Sequence, residues 1–203
     1  MDYRDTLFPF LQEDCLSKFG QKAGAEIYEK ACKRLAVMLE TADFRGNKSI
    51  RRHISKNMFP GIAYYLTLQE QGYAKEEAYS LTLEETQKAA HIEKRKNESL
   101  ARLPFTYRLF KLLSKGIIKR MYPAEGWDVE WIRFDNKELQ MNFKTCIYAE
   151  LTAKYECPEL CTVFCKNDPV TFSGYEPKIR FERNGTIAEG APFCDFHFAS
   201  GGD

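Results

Sequence analysis

The chain has 203 residues, 44% of them hydrophobic and 29% charged, a globular composition that excludes a fibrous or disordered protein. Thirty Lys and Arg stand against 29 Asp and Glu, leaving a formal charge of +1, which argues against a nucleic-acid partner. No apolar run of about 18 residues occurs, so no membrane association is expected. The N-terminal stretch places acids among its apolar residues and has no cleavable apolar core, so a cytoplasmic protein is expected.

Residues 1–122 read as helices. Ile27, Ala31, Leu35, Met38 and Leu39 recur near helical spacing over Ala23–Ala42. A second apolar stretch covers Met58–Gln71, closed by Gly72, which suits a C-cap. Lys75–Leu100 is a long polar helix. Pro104 interrupts it, and Thr106–Met121 resumes the pattern. This half holds 22 basic and 15 acidic residues, whereas residues 123–203 hold 8 and 14. The opposite charges favour one compact unit.

The texture changes at Tyr122-Pro123. Trp127–Phe134 alternates, Asp135-Asn136 is a turn signal, and Glu138–Phe143 follows as a pairing strand. Thr145–Tyr155 and Pro158–Cys165 read as two helices, and Asn167-Asp168-Pro169 as a turn. Lys178–Arg183 alternates again. Asn184-Gly185 is a hairpin dipeptide leading into Thr186-Ile187-Ala188. Phe193–Phe198 is a last strand, and Ala199–Asp203 a frayed tail. The expected fold class is α+β. A helical region, 1–122, packs on an α+β region, 123–203, built from a small, mainly antiparallel sheet and two helices.

Seven cysteines make a disulfide framework improbable in a cytosolic chain. Cys146 follows a strand and opens a helix, where a thiolate is favoured; a small buried hydrophobe is the plainer alternative. Cys157, Cys161 and Cys165 are spaced four apart, on one drifting helical stripe. They could hold a soft metal with Cys194 or His197, although the spacing matches no standard knuckle. On the last strand, Asp195 and His197 share a face, which suits a carboxylate orienting an imidazole. No phosphate-binding loop, dinucleotide fingerprint, serine-hydrolase elbow or zinc-protease helix is present.

An ordered set of motifs adds to this: Cys146-Ile-Tyr, Pro158-Glu-Leu160, Phe164-Cys165-Lys-Asn-Asp168, Thr186-Ile-Ala-Glu-Gly190 and Cys194-Asp195-Phe196. Over roughly residues 55–198 it resembles the L-2-amino-thiazoline-4-carboxylic acid hydrolase family. The resemblance implies a small-molecule substrate, a cyclic isothiourea opened to N-carbamoyl-cysteine, and no metal or other cofactor. Chemistry then suggests roles. Cys146 or Cys165 attacks the ring carbon directly, with Cys194 beside them. Alternatively, His197 activates a water and Asp195 orients it. Asp168 pairs with the amidine-like head, and Arg180 or Arg183 clamps the carboxylate, with Thr186 nearby. Two other readings stay open: a non-catalytic small-molecule, metal or redox sensor built on the cysteines, and an interaction domain using the Trp127/Trp131 strand. A homo-oligomer also remains open.

Overall fold

The computed structural model describes residues 2–201. By internal contact the chain divides between Ala89 and Ala90, inside a long helix.

The first unit is helical: α1 (Leu11–Phe19), α2 (Gln21–Glu40), α3 (Lys48–His53) and α4 (Phe59–Glu70), then the first half of α5 (Lys75–Ala101). A π-helical turn, Ile54–Met58, joins α3 to α4. Nine of the twelve residues of α4 are buried, so it forms the core. The hydroxyl of Tyr3, itself fully buried, donates to the Pro60 carbonyl at 3.0 Å. Gly72 follows α4 with φ +90°, as a C-cap glycine should. One buried acid, Glu85, lies between Lys18 at 3.2 Å and Lys88 at 3.0 Å.

The crossing of α1 and α2 depends on Gly24. A Cβ there would stand 2.2 Å from the Cys15 carbonyl oxygen. Gly24 is buried in the helix, so alanine would gain up to about 1 kcal/mol of helix propensity. The overlap is with backbone and outweighs that gain. Gly24→Ala is expected to lose about 2 kcal/mol, read as a lower midpoint in chemical denaturation. An unchanged midpoint would show that the two helices can separate freely.

The second unit holds α6 (Thr106–Met121), β1 (Val129–Phe134), β2 (Glu138–Phe143), α7 (Ile147–Lys154), α8 (Cys161–Cys165), α9 (Asn167–Phe172), β3 (Ile179–Glu182) and β4 (Cys194–Ser200). The sheet is antiparallel throughout, in the order β1-β2-β4-β3. The fold class is therefore α+β, as the sequence indicates. Register separates the two faces. Leu139 pairs with Phe198, Met141 with Phe196 and Phe143 with Cys194, and Phe181 pairs with Phe198 from the other side. These side chains form the inner face, on which Phe110 of α6 and Phe172 of α9 rest, 5.1 and 4.9 Å from the Phe198 ring. Gln140, Asn142, Asp195 and His197 share the outer face.

Four local expectations are corrected. Asn167-Asp168-Pro169 is not a turn but the opening of α9, a third helix after β2. First-turn amides have no intrahelical acceptor, so proline costs nothing there. Asn184-Gly185 does not make a hairpin. The Asp195 carboxylate draws in both backbone amides, at 3.0 and 2.8 Å, and Ile187–Glu189 is a 3-10 turn. Trp127 precedes β1 and is buried, with its ring 5.2 Å from Tyr122, so it lines no strand edge. Ala199 and Ser200 belong to β4, and the Gly201 amide donates to the Lys178 carbonyl; Gly202 and Asp203 lie outside the described residues.

Candidate active site

Cys146 is the N-cap of α7, in extended backbone with φ −147°. Three hydrogen bonds from backbone amides hold this corner in the second unit. Lys144 donates to the Asp128 carbonyl at 2.8 Å, Asp128 to the Thr145 hydroxyl at 2.8 Å, and Ile147 to the Gly126 carbonyl at 3.0 Å. They bring the Trp127 indole to the Cys146 sulfur. The Cys161 thiol, the first-turn amides of Ala149 and Tyr148 and the Trp127 indole all lie near that sulfur and favour its charged form, although the side chain caps none of the α7 amides. The Cys161 thiol is the largest influence holding the Cys146 thiol down, to about 7. Burial opposes it and the amides and indole assist. Four donor groups near one half-buried sulfur favour its thiolate near neutral pH.

Cys161 is buried at the start of α8 and lies against both Cys146 and Cys165. Those two neighbours, together with burial, push its own thiol strongly upward. The three sulfurs form a row in which Cys161 remains a protonated donor. Cys194 is buried on β4, within electrostatic reach of Cys165 and Cys146. Its sulfur accepts from the Ile187 amide at 3.2 Å, and burial raises its thiol to about 12. Among the described residues, no group of three or more His, Cys, Asp or Glu is placed to hold a metal ion.

Beside the sulfurs lies an ion pair. Arg183 Nη1 stands 2.6 Å from Asp168 Oδ2, and Nη2 donates to the Cys165 carbonyl at 3.0 Å. The guanidinium also lies over the Phe196 ring, at 5.5 Å. Burial raises the Asp168 carboxyl to about 6, against the pull of Arg183. Tyr122, whose hydroxyl burial holds protonated, is within electrostatic reach of both Asp168 and Cys146. An open cavity of about 450 Å³ borders the pair, lined by Pro169, Phe181, Glu182, Arg183 and Asn184. Cys146 lies outside that lining.

The structure thus gathers Cys146, Cys165, Cys194, Asp168 and Arg183. It does not bring Asp195 or His197 to them. Asp195 is spent on the turn, accepting from the amides of Asn184 and Gly185 and from the Asn184 side chain, which hold its carboxyl below the usual range against partial burial. His197 lies on the outer face between Glu138 at 3.3 Å and Glu182 at 3.4 Å. Asp195 therefore does not orient His197. Arg180 is exposed on β3. Thr186 is buried, donating to Glu189 and capping the 3-10 turn that presents Ile187 to Cys194. Two residues were missed. Cys161 was assigned only to a metal set, though its four-residue step to Cys165 already placed it beside that sulfur. Trp127 was assigned to a strand.

Residues 51–198 match the family described as L-2-amino-thiazoline-4-carboxylic acid hydrolase. No curated protein and no solved structure matches the chain. The matched span takes in the entire sulfur row, the Asp168–Arg183 pair and every strand but the last residues of β4. On that coverage the chain belongs to the L-2-amino-thiazoline-4-carboxylic acid hydrolase family.

Proposed function

We propose that this protein hydrolyses a cyclic isothiourea of the 2-aminothiazoline-4-carboxylate type, with the Cys146 thiolate as nucleophile. The supporting observation is the set of four donors around one half-buried sulfur, in a chain of this family. Cys146 attacks the ring carbon C2, and the C2–S bond breaks, releasing the ring sulfur as a thiolate. Cys146 is then joined to the former C2 as an S-linked isothiouronium. Water adds to that carbon and the bond to Cys146 breaks, restoring the thiolate and giving the urea of N-carbamoyl-cysteine. Of the water's two protons, Asp168 takes one and the departed thiolate the other. A carboxyl that ionises near 6 suits that exchange at neutral pH. Arg183 meets the substrate carboxylate, with Asp168 holding its other edge. Incubating purified protein with 2-aminothiazoline-4-carboxylate should release one free thiol per turnover, counted with a disulfide dye. No thiol release from this compound or its ring analogues would leave the cysteine row as a redox-sensing device, the reading that the absence of His197 from the row favours.

Cys161 is the positioning residue of this scheme. Removing its thiol takes the largest donor from Cys146, so the thiolate loses stabilisation and its pKa rises. The pH profile of Cys146 alkylation by iodoacetamide should move up by about one unit in Cys161→Ala. Cys161→Ser, which keeps a donor, should restore much of it. Coincident profiles in all three proteins would remove Cys161 from the site.

A further inference from the structure

The outer face of α6 has no role in the sheet or the site. Eight of the twelve exposed large hydrophobics lie between Leu100 and Met121. Leu112 is 77% exposed and Phe105 56%, with Leu109, Leu113 and Ile117 at 40–48%. At about 100° per residue Leu109, Leu112, Leu113 and Ile117 fall within an arc of roughly 140° on one side of the helix, and Phe105 is the cap residue just before it. The other side is fixed in place. Tyr107 and Ser114 are buried, the Tyr107 hydroxyl donates to the Asp135 carbonyl at 3.2 Å, and Phe110 packs on Tyr175 and Phe198. Held by its inner face, α6 presents a second apolar stripe outward. Solitary exposed leucines are ordinary; a contiguous set on one helix marks an interaction surface.

Charge selects the occupant. From Ser99 to Ala124 there are six Lys and Arg and no Asp or Glu. Lys115, Arg108 and Lys119 run along one border of the stripe, and Arg120 falls within the arc. A second copy docking through this stripe would be related by a twofold axis, so the same patch would face itself. Basic residues would then oppose basic residues with no acid between them. An anionic bilayer meets both features: the apolar side chains enter the headgroup boundary while the cations meet phosphate and carboxylate groups. No helix among the described residues is long and apolar enough to cross a membrane, so the contact is peripheral.

We propose that α6 seats the protein on an anionic lipid surface, contrary to the sequence expectation that no membrane is involved. The test is sedimentation of the full chain with vesicles of phosphatidylcholine containing about 30% phosphatidylserine, against pure phosphatidylcholine. Binding to the anionic vesicles should be at least about tenfold tighter and should fall at high salt. Leu112→Glu/Leu113→Glu and, separately, Arg108→Glu/Lys119→Glu should each abolish it. These side chains are exposed, so both variants should keep the parent's thermal melting temperature. Equal binding to both vesicle types, or none, would overturn the proposal. So would a dimer in sedimentation velocity that Leu112→Glu/Leu113→Glu converts to monomer, since the occupant would then be a second copy.

Discussion

Cys146→Ser should lower thiol release by a factor on the order of 10³ or more while the melting temperature stays within a few degrees. Serine keeps the size and the place of the side chain at the start of α7. It cannot supply the anion, because the surroundings that bring a thiol to about 7 leave a hydroxyl protonated at any working pH. His197→Asn is the matched control. Its side chain faces Glu138 and Glu182 on the outer face, so turnover should stay within about threefold of the parent. A large loss in His197→Asn with retention in Cys146→Ser would reverse the assignment and restore the activated-water route. The parent's turnover should rise with pH through about 7, as Cys146 ionises.

Arg183→Ala should cost about 2–3 kcal/mol of stability, measured by denaturant titration. It removes the partner of a half-buried carboxylate and the donor to the Cys165 carbonyl. The pH dependence gives a second readout. The folded Asp168 carboxyl ionises near 6, above its ordinary value of 3.8. A raised acid stabilises the fold most in acid, and that contribution is lost as pH rises from about 4 through 6. Arg183 pulls the carboxyl down, so in Arg183→Ala the loss should extend to higher pH. Arg183→Lys should recover little, since an ammonium cannot span the carboxylate and the carbonyl as the planar fork does. A parent-like denaturation curve in Arg183→Ala would show that the pair is a solvated contact.

The elements with strong periodicity were legible. Thr106–Met121 and Glu138–Phe143 have the bounds expected from the sequence, because each is bracketed by residues that end it. Pro104 lies before α6, and Asp135 caps the turn into β2 through its side chain, accepting from Lys137 and Glu138. The placement of Cys146 at a helix start was legible for the same reason. What failed were judgements of local chemistry that depend on a distant residue. Asn184-Gly185 has hairpin chemistry, but the carboxylate that claims its amides is ten residues further on. Alternation correctly put Asp195 and His197 on one face. It could not reveal that the sulfurs lie behind the other, since a strand pattern fixes sides and not neighbours. Cys161 was underrated because it meets Cys146, a residue fifteen positions away at the start of another helix, and no spacing rule encodes that.

The order of strands has a consequence for the birth of the molecule. Among the described residues β4 follows the other three strands in the chain and yet is an inner one, with β2 on one side and β3 on the other. Until residues 194–200 leave the ribosome, β2 and β3 have no partner between them and their inner-face aromatics stay wet. The sheet, the wall that Cys194 gives the sulfur row, and the anchor for the Asn184-Gly185 turn must all close in one late event across long sequence separations. Nascent chains stalled before Cys194 should therefore be open to protease across the second unit and exposed to pairing with other chains. Chains released past Ser200 should become resistant in a single step.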